Sequence, residues 1–323
     1  MKQTIYEIPG LVLTVGKNCL LASIHDVFSY YKIETDENIL YFICEGLRFL
    51  WKNNDQRKLS NSFCYDRNAY IVKGISDIYE CQLEYCDNYD FEKIKKIINN
   101  NTPIILLLDP SCAKYNTRRF QPEGRGEMHS VIIYGYSDES FAVADSTASD
   151  DNAVFSCIKA EISYKDTKKG CKGFFYFSEP PQQVLSPEKI IWCLKNNLEN
   201  FLYPTNQDGY VRGLLALKEA FKYYALNDVF AYSDELRYLF QAYFMPSFIY
   251  FEGVLKSFNG FEEIIKKIMI NKSGWNRFYY KFLCRPDNNP DYIKNTSEKA
   301  FQLMEDYSCV LLNLLSILKC YQM

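Results

Sequence analysis

The hydrophobic periodicity of this chain changes at one place, the run Ser178-Glu179-Pro180-Pro181. Before this run, short apolar segments typical of strands alternate with helical segments, whereas after it apolar residues recur at helical spacing. Consecutive prolines stop both a helix and a central strand, so the run predicts a joint between two regions. We therefore predict two domains, residues 1–182 and residues 183–323, of which the second is helical.

The first region carries the pattern of an α+β fold, in which helices precede a mostly antiparallel sheet. Apolar spacing predicts a helix from Cys19 to about Tyr31, and Asp36 and Asp90 are good cap residues for two more. Strands are predicted at 103–108, 129–136, 141–145 and 173–177, with a turn at 137–140 that makes the middle two a hairpin. Further helices are predicted near 187–202, 210–226, 233–257, 260–271, 275–285 and 293–321.

The charge and the hydropathy of the chain exclude several classes of partner. A formal net charge of −3 and a pI near 5.7 give no overall attraction to nucleic acid or to anionic lipid, so we predict neither as a partner. The first seven residues lack the apolar run of a signal peptide, and no later stretch suggests a membrane span. We expect a cytoplasmic protein.

The cysteines are numerous but do not form a recognisable metal or disulfide pattern. There are twelve of them, scattered without repeated spacing and without a C-x-x-C pair, and only two histidines accompany them. Disulfide frameworks belong to short secreted chains, so we expect these thiols to be reduced. No bound metal and no bound cofactor are predicted.

Cys19 is the candidate nucleophile. In Asn18-Cys19-Leu20-Leu21 it stands in the first turn of a predicted helix, where the helix dipole and the exposed N–H groups stabilise a thiolate. Its position alone is also compatible with a small buried hydrophobic residue, which is the usual state of a cysteine. The functional interpretation therefore depends on a partner imidazole.

His129 is the candidate base, by elimination between the two histidines. His25 lies six residues after Cys19 on the same helix, about 9 Å along its axis, and does not easily face the thiol. We interpret His25 as a surface or packing residue. His129 opens a predicted apolar strand, where a side chain can project into a cleft and hold an ion pair with the thiolate.

Asp145 is the candidate orienting carboxylate. It ends the strand that pairs with the His129 strand, so both side chains are expected at the same edge of the hairpin. There the carboxylate would accept a hydrogen bond from one ring nitrogen while the other faces Cys19. Asp138 is the alternative, but it lies in the turn at the opposite end of the hairpin.

Three segments together resemble known enzymes: 17–21 around Cys19, 128–136 from His129, and 141–146 ending at Asp145. They are similar to papain-like peptidases that process bacteriocin leaders, and more nearly to the butirosin-biosynthesis acyltransferase family. This resemblance implies a papain-like cysteine protease fold with a helical C-terminal region that binds substrate or carrier protein. It also implies that Cys19, His129 and Asp145 move an acyl group from the phosphopantetheine thioester of an acyl or peptidyl carrier protein to a small amine.

One position departs from the peptidase pattern. Papain-like peptidases commonly place a glutamine about six residues before the cysteine as an oxyanion donor, whereas this chain has Leu13 there. Thr14 and Asn18 are both candidates for a replacement donor. An ATP-independent acyltransferase that forms amides in antibiotic biosynthesis is the favoured interpretation. A cysteine peptidase or amidase and a non-catalytic binding module are the alternatives.

Overall fold

The structure is a computed structural model that describes residues 6–52, 58–61, 67–116, 128–149, 155–204, 210–226, 236–237, 240–285, 287 and 289–321. The chain divides into two compact units. Unit 1 comprises Met1–Leu40 and Val72–Leu185, and unit 2 comprises Tyr41–Ile71 and Ser186–Met323. The second unit is thus built from two separate stretches of chain.

Unit 1 is organised around a seven-stranded antiparallel sheet. Its strands are β1 (Tyr6–Glu7), β4 (Gln82–Cys86), β5 (Ile104–Leu108), β6 (His129–Tyr136), β7 (Ser140–Ser149), β8 (Phe155–Ser163) and β9 (Cys171–Glu179). The order across the sheet is β4-β9-β5-β6-β7-β8, and β1 also pairs with β6. Strands β5 and β6 are buried along their whole length, as their continuous apolar sequences predict.

Two helices of unit 1 follow the sequence prediction closely. Helix α1 (Cys19–Tyr30) packs on β5, β6 and β7 through an apolar face that includes Leu21, Val27 and Phe28. Helix α4 (Phe91–Asn99) is capped by Asp90, whose carboxylate accepts from the Lys93 N–H at 3.0 Å. The short helix α5 (Tyr164–Gly170) follows β8, and α2 (Glu37–Ile43) and α3 (Arg67–Tyr79) run across the division between the units.

Gly135 shows why β1 can reach the middle of this sheet. A Cβ atom at this position would lie 2.5 Å from the Tyr6 carbonyl oxygen, well inside contact distance. Glycine therefore permits the backbone of β1 to approach β6, where Glu7 pairs with Gly135.

Unit 2 consists of helices and a small sheet. The helices are α6 (Pro187–Leu202), α7 (Gly213–Leu226), α8 (Met245–Leu255), α9 (Glu262–Phe278) and α10 (Pro290–Cys320), and the sheet has the order β10 (Tyr210–Arg212), β2 (Phe49–Lys52), β3 (Lys58–Asn61). Trp275 lies fully buried among aromatic rings, with the centroid of Phe244 5.0 Å away. The crowded aromatics of this region form its core.

Three details of the predicted organisation differ from the structure. Residues 41–71 were expected in the first domain, but β2 pairs with β10, which places this stretch in unit 2. The predicted helices 260–271 and 275–285 form one continuous helix through Gly274, which ends in a π-helical stretch at Tyr279–Leu283. The predicted helix 233–257 is described only in part. It includes a π-helical stretch at Phe240–Phe244 and α8, whereas residues 233–235 and 238–239 lie outside the described ranges.

Helix α10 bears on the expectation that no stretch of the chain suggests a membrane span. By length and composition alone, its segment Asp291–Cys320 is long and apolar enough to cross a membrane, since its most apolar 18-residue window has a mean hydropathy of 1.2. Nearly half of the most apolar window is buried within the protein, by the face that carries Leu303, Tyr307, Leu311 and Leu314. The core helix of a globular unit has the same composition, so this criterion does not distinguish the two cases.

Candidate active site

Cys19 is the first residue of α1, as predicted. Asn18 caps the helix, because its Oδ1 accepts from the N–H groups of Leu20 at 3.0 Å and Leu21 at 3.2 Å. Cys19 is half-buried rather than sealed in the core. The thiol therefore lies at the positive end of a helix, where a thiolate is stabilised.

His129 and Asp145 form a buried pair beside this thiol. The His129 Nε2 lies 2.6 Å from the Asp145 Oδ2, and both side chains are almost completely inaccessible to solvent. His129 also makes a side-chain hydrogen bond with Cys19. Since Nε2 is engaged by Asp145, Nδ1 is the ring nitrogen that remains for the thiol. The structure thus brings the three predicted residues together in the predicted order.

The Asp145 carboxylate is held by further donors. Its Oδ1 accepts from the Thr147 N–H at 2.9 Å, and its Oδ2 accepts from the Tyr115 hydroxyl at 3.1 Å and from the Asn116 Nδ2 at 3.5 Å. These contacts stabilise the ionised carboxylate and fix its orientation toward the imidazole. Tyr115 and Asn116 were missed at the sequence level, because they follow β5 in a stretch without any periodic or motif signal.

The electrostatic environment favours a charged imidazole. Burial alone would lower the pKa of His129, but the charge and the hydrogen bond of Asp145, together with the bond to Cys19, outweigh it and raise this pKa to about 9. At neutral pH the imidazole is therefore protonated when its neighbours are ionised. This arrangement supports an imidazolium–thiolate pair and a proton that can be moved during a reaction.

Sequence comparison identifies the relatives of this site. The model of the Peptidase_C39 like family matches residues 5–172, which is more than half of the chain and includes all three site residues. The chain belongs to the Peptidase_C39-like family. A crystal structure described as that of a C39-like peptidase from Bacillus anthracis aligns with 12% identity and a TM-score of 0.37, over 56% of this chain and 100% of that one. No curated protein gives a significant match.

Membership of the Peptidase_C39-like family confirms the predicted fold class. The chain has a C39-like, papain-type combination of helices and antiparallel sheet, followed by a helical C-terminal region. Among the described residues of that region, β10 is the only strand. The family also supports the prediction of a papain-like cysteine enzyme. It does not distinguish acyl transfer from peptide hydrolysis.

The alternative site residues of this C39-like enzyme lie elsewhere. His25 bonds through its Nδ1 to the Asp26 Oδ1 at 3.0 Å, and that hydrogen bond is the main reason why its pKa is raised. Asp138 is exposed in the turn between β6 and β7, at the far end of the hairpin from His129. Neither residue takes part in the contacts that join Cys19, His129 and Asp145.

The two elements that carry Cys19 and His129 are also joined by hydroxyl groups. Ser23 donates to the Cys19 carbonyl oxygen at 2.8 Å, and Ser130 donates to the Ser23 hydroxyl at 3.1 Å. Both serines are buried, so this chain of bonds ties the first turn of α1 to the start of β6. It fixes the distance between the elements that carry the thiol and the imidazole.

The segment before Cys19 has the irregular backbone in which an oxyanion donor would lie. Thr14 is exposed, and its N–H donates to the Asp26 Oδ1 at 3.1 Å, while the Gly16 N–H donates to the Ser146 carbonyl oxygen at 2.9 Å. Leu13, in the position of the usual glutamine, is half-buried and has no polar side-chain atom. The Asn18 Oδ1 serves as the helix cap, which leaves its amide nitrogen as the side-chain donor nearest in sequence to Cys19.

The other cysteines differ from Cys19 in their surroundings. Burial raises the pKa of the thiols of Cys81, to about 11, and Cys193, to about 12, and no described thiol takes part in a disulfide. Over the described ranges there is also no group of three or more histidine, cysteine or acidic residues that is suited to a metal ion. Cys19, at the start of α1, instead has a hydrogen-bonded imidazole partner.

Proposed function

We propose that this protein is a cysteine-dependent acyltransferase that forms an amide bond in the biosynthesis of a peptide-like antibiotic. The donor is an acyl thioester on the phosphopantetheine arm of an acyl or peptidyl carrier protein, and the acceptor is a small amine. The observation that carries the proposal is the hydrogen-bonded series Cys19, His129, Asp145 at the start of α1. Such a series forms and resolves an acyl-enzyme.

The proposed reaction has two steps. In the first step, the Cys19 thiolate attacks the thioester carbonyl, the carbon–sulfur bond of the donor breaks, and the imidazolium of His129 protonates the departing thiolate. In the second step, the amine attacks the carbonyl carbon of the acyl-enzyme and its proton passes to His129. The bond between that carbon and the Cys19 sulfur then breaks, which releases the amide and regenerates the Cys19 thiolate. Conversion of a thioester into an amide is downhill, so no ATP is consumed.

Two observations favour transfer over hydrolysis. Leu13 provides no side-chain donor at the position where papain-like peptidases commonly have glutamine, which weakens the case for attack on a less reactive peptide bond. In addition, residues 173–323 lie beyond the part of the chain that matches the peptidase-like family. We propose that this helical region binds the carrier protein or the substrate, in a cytoplasmic enzyme without a resident cofactor.

The test measures the acyl-enzyme directly. Wild type and Cys19→Ala are incubated with an acyl-pantetheine thioester, with and without a panel of primary amines, and followed by intact-protein mass spectrometry. We expect an acyl adduct on wild type that disappears as amide forms, and neither adduct nor amide with Cys19→Ala. Cys157→Ala, which removes an exposed thiol on β8, is the matched control and should behave as wild type.

Each competing function predicts a different result. A peptidase or amidase would release free acid at the same rate with and without amine, and would cleave a peptide panel. A binding module would show no adduct on Cys19. Full turnover by Cys19→Ala would contradict the proposal outright.

A further inference from the structure

A carboxylate from another element holds the backbone immediately before Cys19. Glu37, the first residue of α2, accepts from the Lys17 N–H with both of its oxygens, each at 3.0 Å, and also accepts from the Asn18 N–H. Asn18 in turn caps α1 through the N–H groups of Leu20 and Leu21. These two side chains therefore hold the N–H groups of Lys17 and Asn18, just before Cys19, and those of Leu20 and Leu21, just after it.

The fit around this carboxylate is close. A Cβ atom at Gly16 would lie 2.2 Å from the Glu37 Oε1 and 2.3 Å from the Ala22 Cβ, so only glycine leaves room for the carboxylate at this place. The Gly16 N–H is itself bonded to the Ser146 carbonyl oxygen, one residue after Asp145. The segment from Gly16 to Asn18 is thus tied both to α2 and to the strand that carries the orienting carboxylate.

We propose that Glu37 is a positioning residue for Cys19, whose ionised carboxylate holds the Lys17–Asn18 backbone so that the thiol meets His129. This inference rests on the proposed role of Cys19 as the nucleophile. A nucleophile at a helix start depends on the orientation of the preceding peptide units, and small displacements of reacting groups are costly. Loss of the Glu37 contacts releases those units without removing any reacting atom.

The charge of Glu37 changes near neutral pH. Burial raises the pKa of Glu37 to about 7, against the opposing effects of the bonds from Lys17 and Asn18 and the positive charges of Lys17 and His25. Asp26 and Asp36 are the other charged groups beside His25. Because the pKa is raised, the carboxyl group is ionised above about pH 7 and protonated below it. Below that pH, one oxygen carries a proton and accepts poorly, so the hold on the backbone weakens.

The experiment measures the reactivity of Cys19 without requiring the natural substrate. The rate of alkylation of Cys19 by iodoacetamide is followed by peptide mass spectrometry between pH 5.5 and 8.5. In wild type we expect the rate to fall roughly tenfold through an inflection near pH 7 as the pH is lowered. Glu37→Gln, which is neutral at every pH, should react roughly tenfold more slowly at pH 8 and should lack the inflection.

Two further variants separate positioning from folding. Glu34→Gln changes an exposed acid three residues earlier and should keep the wild-type rate and profile. Lys17→Ala keeps the backbone N–H but removes a charge that lowers the pKa of Glu37, so its inflection should move to higher pH. A purely structural role for Glu37 would not move the inflection. If Glu37→Gln does not fold, wild type and Lys17→Ala decide the question.

The outcomes distinguish this inference from the proposed function. An unshifted inflection in Lys17→Ala, its absence from wild type, or a wild-type profile in folded Glu37→Gln would overturn the role of Glu37. In those cases Cys19→Ala could still lose acyl transfer, and the proposed function would stand. If Cys19 of wild type reacts no faster than the exposed Cys157, the nucleophile itself is wrong, and both ideas fail.

Discussion

The buried pair of His129 and Asp145 determines when this site can donate a proton. In water, an imidazole is mostly neutral above pH 6.5, but here the neighbouring carboxylate raises the pKa of His129 to about 9. The protonated form consequently persists through neutral pH and disappears as the pH rises through about 9. In the proposed reaction, the imidazolium protonates the thiolate that leaves the donor.

We therefore predict that the rate of amide formation falls as the pH rises through about 9. Asp145→Asn removes the charge that raises the pKa of His129, so the falling limb should move to lower pH and the maximal rate should drop roughly 10²-fold. A pH–rate profile with an acyl-pantetheine donor measures both effects. Asp138→Asn, at the exposed end of the same hairpin, is the control, and an unchanged limb in Asp145→Asn would refute the explanation.

The residues of the site were predictable to different degrees. Cys19, His129 and Asp145 were found because the chain has only two histidines and because each was predicted at the end of a regular element, although β7 continues past Asp145 to Ser149. Tyr115, Asn116 and Glu37 contact residues nineteen or more positions away in the chain, and these contacts exist only after folding. A single sequence contains no signal for such partners.

At the scale of elements, the candidate site lies where the N-terminus of α1 is close to the open end of the β6–β7 hairpin. The cap at Asn18 sets where α1 begins, and hence that Cys19 occupies its first turn. The regular elements on each side were predictable from apolar spacing, and the observed α1, β5 and β6 begin and end within a residue or two of the predicted bounds. The small strand β10 carries only three residues, which is too short for a periodic pattern.

We predict that the Asn18 cap increases both the reactivity of the Cys19 thiol and the stability of the folded protein. Asn18→Ala removes the acceptor of two helix N–H groups, so it should lower the free energy of unfolding by about 1 kcal/mol and slow the alkylation of Cys19. Asn18→Ser retains a capping oxygen and should preserve both. Urea unfolding and iodoacetamide labelling provide the two measurements.

Asp90→Ala is the matched control for this prediction. It removes a comparable cap at the start of α4, where Asp90 accepts from the Lys93 N–H, and should lower stability without slowing Cys19 alkylation. Equal labelling rates in Asn18→Ala and wild type would show that the cap serves stability alone.

At the scale of the whole molecule, unit 1, which contains the candidate active site, is interrupted in sequence. The two consecutive prolines, Pro180 and Pro181, predict a domain boundary near residue 182, and the last residue of unit 1 is Leu185. The sequence alone does not indicate that residues 41–71 belong to unit 2. Their membership depends on the pairing of β2 with β10, which is separated from it by more than a hundred residues, and such long-range pairing has no local signature.

This discontinuity predicts the behaviour of a fragment that ends at residue 185. The fragment retains Phe49, Leu50 and Trp51 but lacks β10 and α7, against which β2 packs in the full chain. Each of these buried side chains would lose about 2 kcal/mol of burial energy. We expect the fragment to bind a hydrophobic dye and to unfold without a sharp transition.

Trp51 provides the decisive measurement, because the other two tryptophans, Trp192 and Trp275, lie beyond the end of the fragment. Its fluorescence should be that of a water-exposed indole and readily quenched by acrylamide, although Trp51 is only 2% exposed in the full chain. A second fragment, in which a Gly/Ser linker of equal length replaces residues 44–66, should bind much less dye. A shielded Trp51 together with a sharp unfolding transition would mean that residues 41–71 can fold within unit 1. The division of the chain into its two units would then have to be redrawn.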